Sequence, residues 1–103
     1  MLMFAVVFVV SQSLESLFPI EVNGKFGYID RAGKVIIRPQ FDQAGRFAEG
    51  RAPVQAGLAW GYIDTKGRVI IPPQFDVADP FSGDRALVGS GGKFGYIERA
   101  GNI

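Results

Sequence analysis

A block of residues recurs every 34 positions in this chain. Gly27-Tyr28-Ile29-Asp30, Gly61-Tyr62-Ile63-Asp64 and Gly95-Tyr96-Ile97-Glu98 stand at that interval, each preceded by an aromatic residue, Phe26, Trp60 or Phe94. Residues 24–57 set against 58–91 without a gap are identical at 18 of 34 positions, Gly33/Gly67 and the Pro39-Gln40-Phe41-Asp42/Pro73-Gln74-Phe75-Asp76 stretches among them. A period of this size means that one supersecondary unit is copied and that the core forms between copies rather than inside one. Few other features could restrict the fold of 103 residues so far.

The phase of the repeat divides the chain. Residues 1–13 are a signal-peptide-like apolar segment, 14–23 the closing strand of an incomplete upstream repeat, 24–57 the first full repeat, 58–91 the second, and 92–103 a truncated third. Met1 to Val10 is apolar throughout, too short to span a bilayer as a helix, and followed by Ser11 and Ser13, small residues of the kind that flank a cleavage site. No Lys or Arg precedes it, and the alternative is that Phe4 to Val10 is a buried strand. Location follows from that choice: extracytoplasmic with a signal, cytoplasmic without one. No transmembrane span is expected.

Within a repeat the periodicity is that of strands. Phe26, Tyr28 and Asp30 alternate with Gly27 and Ile29, the period-2 pattern of a half-buried strand. Asp30-Arg31-Ala32-Gly33 reads as a tight turn in which Gly33 supplies a positive φ and the Asp30 carboxylate bonds forward to turn amides. Val35-Ile36-Ile37 returns as a β-branched second strand. Pro39, and Pro72-Pro73 in the next copy, are expected to end it, since proline has no amide hydrogen to give to a ladder. Gln40 to Phe47 reads as an irregular connection or a single helical turn, and Arg51 to Gln55 as a third strand. A 34-residue period is also that of the helical tetratricopeptide repeat, but the 14 glycines and 6 prolines exclude long helices from the repeats.

Ten of the 13 aromatics fall at repeat-equivalent positions: Phe26/Trp60/Phe94, Tyr28/Tyr62/Tyr96, Phe41/Phe75 and Phe47/Phe81. Four rings per repeat, each burying roughly 150–250 Å², supply most of a small core. Gly27, Gly61 and Gly95 sit between two aromatics and are expected where a ring or a neighbouring backbone lies flat on the strand.

Composition removes several chemistries. Cysteine and histidine are absent, so thiolate nucleophiles, disulfides, imidazole bases and the commonest metal ligands are excluded. Eleven basic against ten acidic residues leave a net charge of +1 and no footprint for nucleic acid. Lys-Phe-Gly-Tyr-Ile at 25–29 and 93–97 is a near miss to an RNA-stacking strand, with Gly and Lys reversed and the final aromatic missing. Gly89-Ser90-Gly91-Gly92-Lys93 fails the nucleophile-elbow and phosphate-loop patterns and reads as an inter-repeat turn. Asp30 with Asp64, or Asp42 with Asp76, could pair across repeats as a cation or acid/base site; turn buttressing accounts for them equally at every copy.

The motifs Phe26-Gly27-Tyr28-Ile29-Asp30 and Trp60-Gly61-Tyr62-Ile63-Asp64, the Gly-Lys/Arg-Val-Ile-Ile stretches, Pro-Gln-Phe-Asp and Phe-x-x-Gly-Arg-Ala together resemble the bacterial WG, or KWG, repeat. The resemblance covers residues 18–103. Trp survives only at Trp60, and the second copy carries Gly83 one place earlier than Gly50. The resemblance implies a β-rich interaction module, often secreted or envelope-associated, with no cofactor and generally no assigned activity. The fold expected is all-β, a tandem array of antiparallel hairpins, open and solenoid-like or partial and propeller-like. The function expected is non-enzymatic binding of a protein or cell-surface polymer, with Arg31, Arg51 and Arg85 as candidate contacts because arginine is prominent at interfaces. The alternatives are cell-wall polysaccharide binding through exposed aromatics and a carboxylate-based hydrolase fragment.

Overall fold

The structure, a computed structural model, describes residues 17–102; the signal-like segment 1–13 lies outside them. Every element is a β-strand: β1 Phe18–Val22, β2 Lys25–Ile29, β3 Val35–Phe41, β4 Gln43–Ala44, β5 Arg51–Ala56, β6 Ala59–Asp64, β7 Val69–Phe75, β8 Val77–Ala78, β9 Arg85–Ser90 and β10 Lys93–Glu98. They form three antiparallel sheets, β1-β2-β3, β4-β5-β6-β7 and β8-β9-β10. The array is all-β and tandem, and the described residues form no closed barrel.

The turns arise from local chemistry. Asp30 Oδ1 accepts from the amides of Ala32 and Lys34, both at 2.9 Å, while Gly33 takes φ +87°. Asp64 repeats this with Lys66 and Arg68, and Gly67 takes φ +85°. The displaced glycine of the second copy also has a physical reason. In the tight turns Glu49-Gly50 and Gly83-Asp84 both central residues have positive φ, the type I′ requirement, so glycine relieves one position in either order.

The prolines do not end their strands. β3 continues through Pro39 to Phe41, and β7 through Pro72-Pro73 to Phe75. Tyr28 pairs with Ile37 and Phe26 with Phe41, so two residues of β2 span four of β3, and the same slip separates Tyr62/Ile71 from Trp60/Phe75. The prolines occupy this bulge, where no ladder amide is required, and the strand resumes beyond it. The segment after Phe41 is the two-residue strand β4 and a loop, in place of the helical turn that was one of the two expectations.

The core lies between sheets. One cluster joins Tyr28, Ile37 and Phe41 of the first sheet region to Ala52, Val54 and Ile63 of the second, with Phe26 and Phe47 at its margin. The next joins Tyr62, Ile71, Phe75 and Phe81 to Ala86, Val88 and Ile97, with Trp60 alongside. Because successive side chains on a strand point to opposite faces, adjacent residues of β6 serve different cores, Ile63 the first and Tyr62 the second.

Candidate interaction surface

Asp30, Asp42, Asp64 and Asp76 are committed to separate turns. Asp64 also accepts from Arg68 Nε at 2.9 Å. Desolvation raises its pKa, but the bonds from the Arg68 amide and side chain and the Lys66 amide outweigh it and hold the carboxyl below its ordinary value. Asp42 takes the Lys25 ammonium at 2.7 Å and the Gly57 amide at 2.7 Å, tying β2 and its own loop to the β5–β6 turn, and these bonds lower its pKa in that order. Asp76 accepts from Gly91 at 2.9 Å in the equivalent turn. Among the described residues no three acidic side chains gather as a metal-holding group.

The tyrosines are likewise absorbed into the stack. The Tyr28 hydroxyl donates to the Gly45 carbonyl at 2.6 Å and the Tyr62 hydroxyl to the Asp79 carbonyl at 2.7 Å, each 17 residues on. Each ring meets the phenylalanine of the same loop edge-on, Tyr28 with Phe47 at 4.7 Å and Tyr62 with Phe81 at 5.1 Å. Burial pushes both phenols above their ordinary range, helped for Tyr62 by the Asp79 charge. A folded-state pKa raised above the unfolded value gives stability that is complete below the unfolded pKa of about 10 and is lost as pH rises beyond it. Alkaline titration should therefore show the phenolate absorbance of Tyr28 and Tyr62 rising together with loss of the β-sheet circular dichroism. Ionisation of both well before unfolding would contradict their placement.

The three candidate arginines have different surroundings. Arg31 is exposed in the β2–β3 turn, and Arg85 is exposed on β9. Arg51 is half-buried: its guanidinium carbon stands 5.6 Å from the Phe81 ring centre and Nη1 donates to the Arg99 carbonyl, while Nε is buried without a hydrogen-bond partner. Burial, then the charge of Arg99, lower its pKa against the pull of Asp64. Sequence reasoning missed the partners of this rim. Glu49 reaches the amides of Gly83 and Asp84 at 2.7 and 3.0 Å, and Arg99 Nη1 donates to the Glu49 carbonyl at 3.2 Å. Glu49 and Gly83 are repeat-equivalent, so an acid present in one copy clamps the turn of the next. Arg85, Asp84, Glu98 and Arg99 line a shallow cavity of about 460 Å³ beside it.

A second concavity runs between repeats. Val35, Ile36 and Ile37 form its apolar wall, with Arg38, Gln40 and Lys66 at the edge, around a volume of about 330 Å³. Gly67 of the next copy sits on Ile37, where an added Cβ would stand 3.2 Å from Cγ2. Gly101 approaches Ile71 in the same way, so the seam repeats along the stack. Its signal in the sequence is the apolar Val-Ile-Ile run, of which only the third residue is buried in each copy.

The family described as WG containing repeat matches residues 26–57 and 60–94, well over half of the chain. The chain belongs to the WG repeat family. Both matched stretches begin on the aromatic-Gly-Tyr strand, and the WG repeat motif recurs once more structurally in β10 and its turn, where Gly101 donates to the Glu98 carbonyl at 2.8 Å. No curated protein and no solved structure matches the chain. Among the described residues no helix is long and apolar enough to cross a membrane.

Proposed function

We propose that this WG repeat array is a non-enzymatic binding module for a protein or a cell-surface polymer. One observation carries this reading: the side chains with the most distinctive chemistry are engaged in building the repeat. Asp30, Asp42, Asp64 and Asp76 hold turns, and Tyr28 and Tyr62 bond backbone carbonyls. What faces outward includes the groove of exposed Val35 and Ile36 with Arg38 and Lys66 at its edge, exposed Val69 at the equivalent position of β7, exposed Arg31 in its turn, and exposed Arg85 beside Asp84, Glu98 and Arg99. An apolar strip edged by long cationic side chains suits a partner that offers apolar groups flanked by carboxylates. Arg51 is the least available of the three candidate arginines, since its guanidinium is occupied by Phe81 and the Arg99 carbonyl.

Polysaccharide binding on aromatic platforms has less support, because Trp60 packs against the second core. The discriminating experiment captures partners from an envelope extract on wild-type protein and on an Arg31→Glu/Arg85→Glu variant with unchanged circular dichroism. A protein partner lost in the variant, and competed by salt as exposed charge pairs are, is the expected result. An unchanged set of partners removes the arginines from the binding surface, and retention on insoluble cell-wall glycan instead favours the polysaccharide reading.

A further inference from the structure

The seam between the two complete repeats carries a groove that the building of the repeat does not require. Among the described residues β3 pairs with β2 alone and so ends its sheet, which leaves one side of its backbone without a ladder partner. This is not the edge of an incomplete copy. A complete repeat, residues 58–91, follows β3, and β7, which the complete repeat 24–57 precedes, ends its sheet in the same way. Val35 and Ile36 on β3 are 51% and 43% exposed, and Ile37 between them and the next repeat is buried. The turn of that next repeat, Lys66 and Gly67, completes the lining.

We infer that this groove takes an extended segment of a partner protein, one in which apolar residues alternate with Asp or Glu, laid along the free edge of β3. A strand added there meets backbone donors and acceptors, the apolar side chains of Val35 and Ile36, and two cations, Arg38 and Lys66. Charge selects the partner. Among the described residues no acidic side chain lines the groove, and the Arg38 and Lys66 side chains make neither a hydrogen bond nor an ion pair, whereas Lys25, Arg68 and Arg99 are engaged by Asp42, Asp64 and the Glu49 carbonyl. The two cations are also particular to this seam. Arg38 has Pro72 as its equivalent, and Lys66 has Ala32 and Ala100. Pro72 removes from β7 the amide that β3 keeps at Arg38, and a proline on an edge strand is a common device for keeping other strands away. The residues that build the repeat recur from copy to copy; Arg38 and Lys66 do not, so stacking does not explain them.

This inference rests on the binding-module reading and gives it a site and a class of partner. A contact with one short strand is smaller than a standard interface, so the dissociation constant is on the order of 10 µM to 1 mM. Added salt weakens it, because both cations are exposed. Arg31 and Arg85, which the capture experiment reverses, do not line the groove, so the two tests fail separately. Partners lost in Arg31→Glu/Arg85→Glu, with no peptide bound at β3, would keep the module and strike the groove.

The test is fluorescence anisotropy of a labelled, end-blocked peptide of about seven residues alternating glutamate with valine, titrated with the full chain. Wild type should bind it at least about tenfold more tightly than peptides in which lysine replaces the glutamates or serine the valines. Arg38→Glu/Lys66→Glu should weaken binding of the glutamate–valine peptide at least about tenfold and favour the lysine–valine peptide instead. Arg38→Gln/Lys66→Gln is a second pair in case the reversal disturbs folding, with circular dichroism as the check. A wild type that binds neither glutamate peptide overturns the inference. Equal binding of the glutamate–serine peptide overturns it in favour of a polyanion such as an acidic surface polymer. Binding unchanged by either pair of substitutions places the peptide away from the groove and overturns it as well.

Discussion

Gly61→Ala is expected to lower the melting temperature by at least about 12 °C, from a loss of about 3 kcal/mol or more. The added methyl would collide with the Ile71 carbonyl and stand 2.7 Å from the Pro73 nitrogen, both backbone atoms of β7. A side chain in the way could rotate, but this stretch is the bulge that carries β7 past the glycine, and moving it would break the pairing of Trp60 with Phe75. Gly27 meets Ile37 and Pro39 in the same manner. Gly95 is a control within the same molecule, because no atom lies within 4 Å of where its Cβ would be. Gly95→Ala should change the melting temperature by less than about 3 °C, since a strand glycine in open space loses nothing by gaining a methyl. Thermal denaturation of the two variants side by side is decisive, and equal effects would show that the close approach of β7 is not what requires glycine.

Tyr62→Ala should cost about 3–5 kcal/mol, the range for removing a large buried ring. Tyr62 is fully buried in the second core and meets Phe81 edge-on, so deletion leaves a cavity that the flanking sheets cannot close without shifting toward each other and disturbing the rest of the core. Tyr62→Phe keeps the ring and loses only the bond to the Asp79 carbonyl, about 1 kcal/mol, because that loop can turn its carbonyl to water. The damage should also be directional. In a stack whose units touch only their neighbours, stability is a sum of unit and interface terms. Hydrogen exchange should therefore lose protection first in β9 and β10, which the second core holds, while β2 and β5, joined by the first core, keep theirs longer. Uniform loss across all ten strands would mean that the cores are coupled more tightly than their separate residue sets imply.

The parts of the fold legible in the sequence are those made by neighbours along the chain. The Asp-x-x-Gly turn needs one carboxylate within reach of two amides and one residue at positive φ, and five consecutive residues satisfy both. The alternation of Phe26, Tyr28 and Asp30 identifies a strand and its two faces with no knowledge of what lies opposite. Proline misled for a related reason. Its missing amide does forbid a regular ladder position, but a bulge is an irregular position inside a strand, and whether one exists depends on the partner strand's register. Arg51 was legible as a repeated surface-type residue and not as a side chain lying on Phe81, because that contact joins one repeat to the loop of the next. Glu49, present in a single copy, gave no periodic signal at all.

The sequence by itself determined the 34-residue unit, its hairpins, its turn chemistry and the rule that cores lie between copies, since all of these follow from hydrogen bonds and side-chain alternation over a few residues or from plain repetition. Only the tertiary structure decided that Ile63 and Tyr62 serve different cores, that β7 arches over Gly61, and that Tyr96, the repeat equivalent of the fully buried Tyr28 and Tyr62, is exposed. The physical reason is that burial belongs to a pair of facing sheets: the same strand is core or surface according to what is laid against it, and no single repeat contains that second surface.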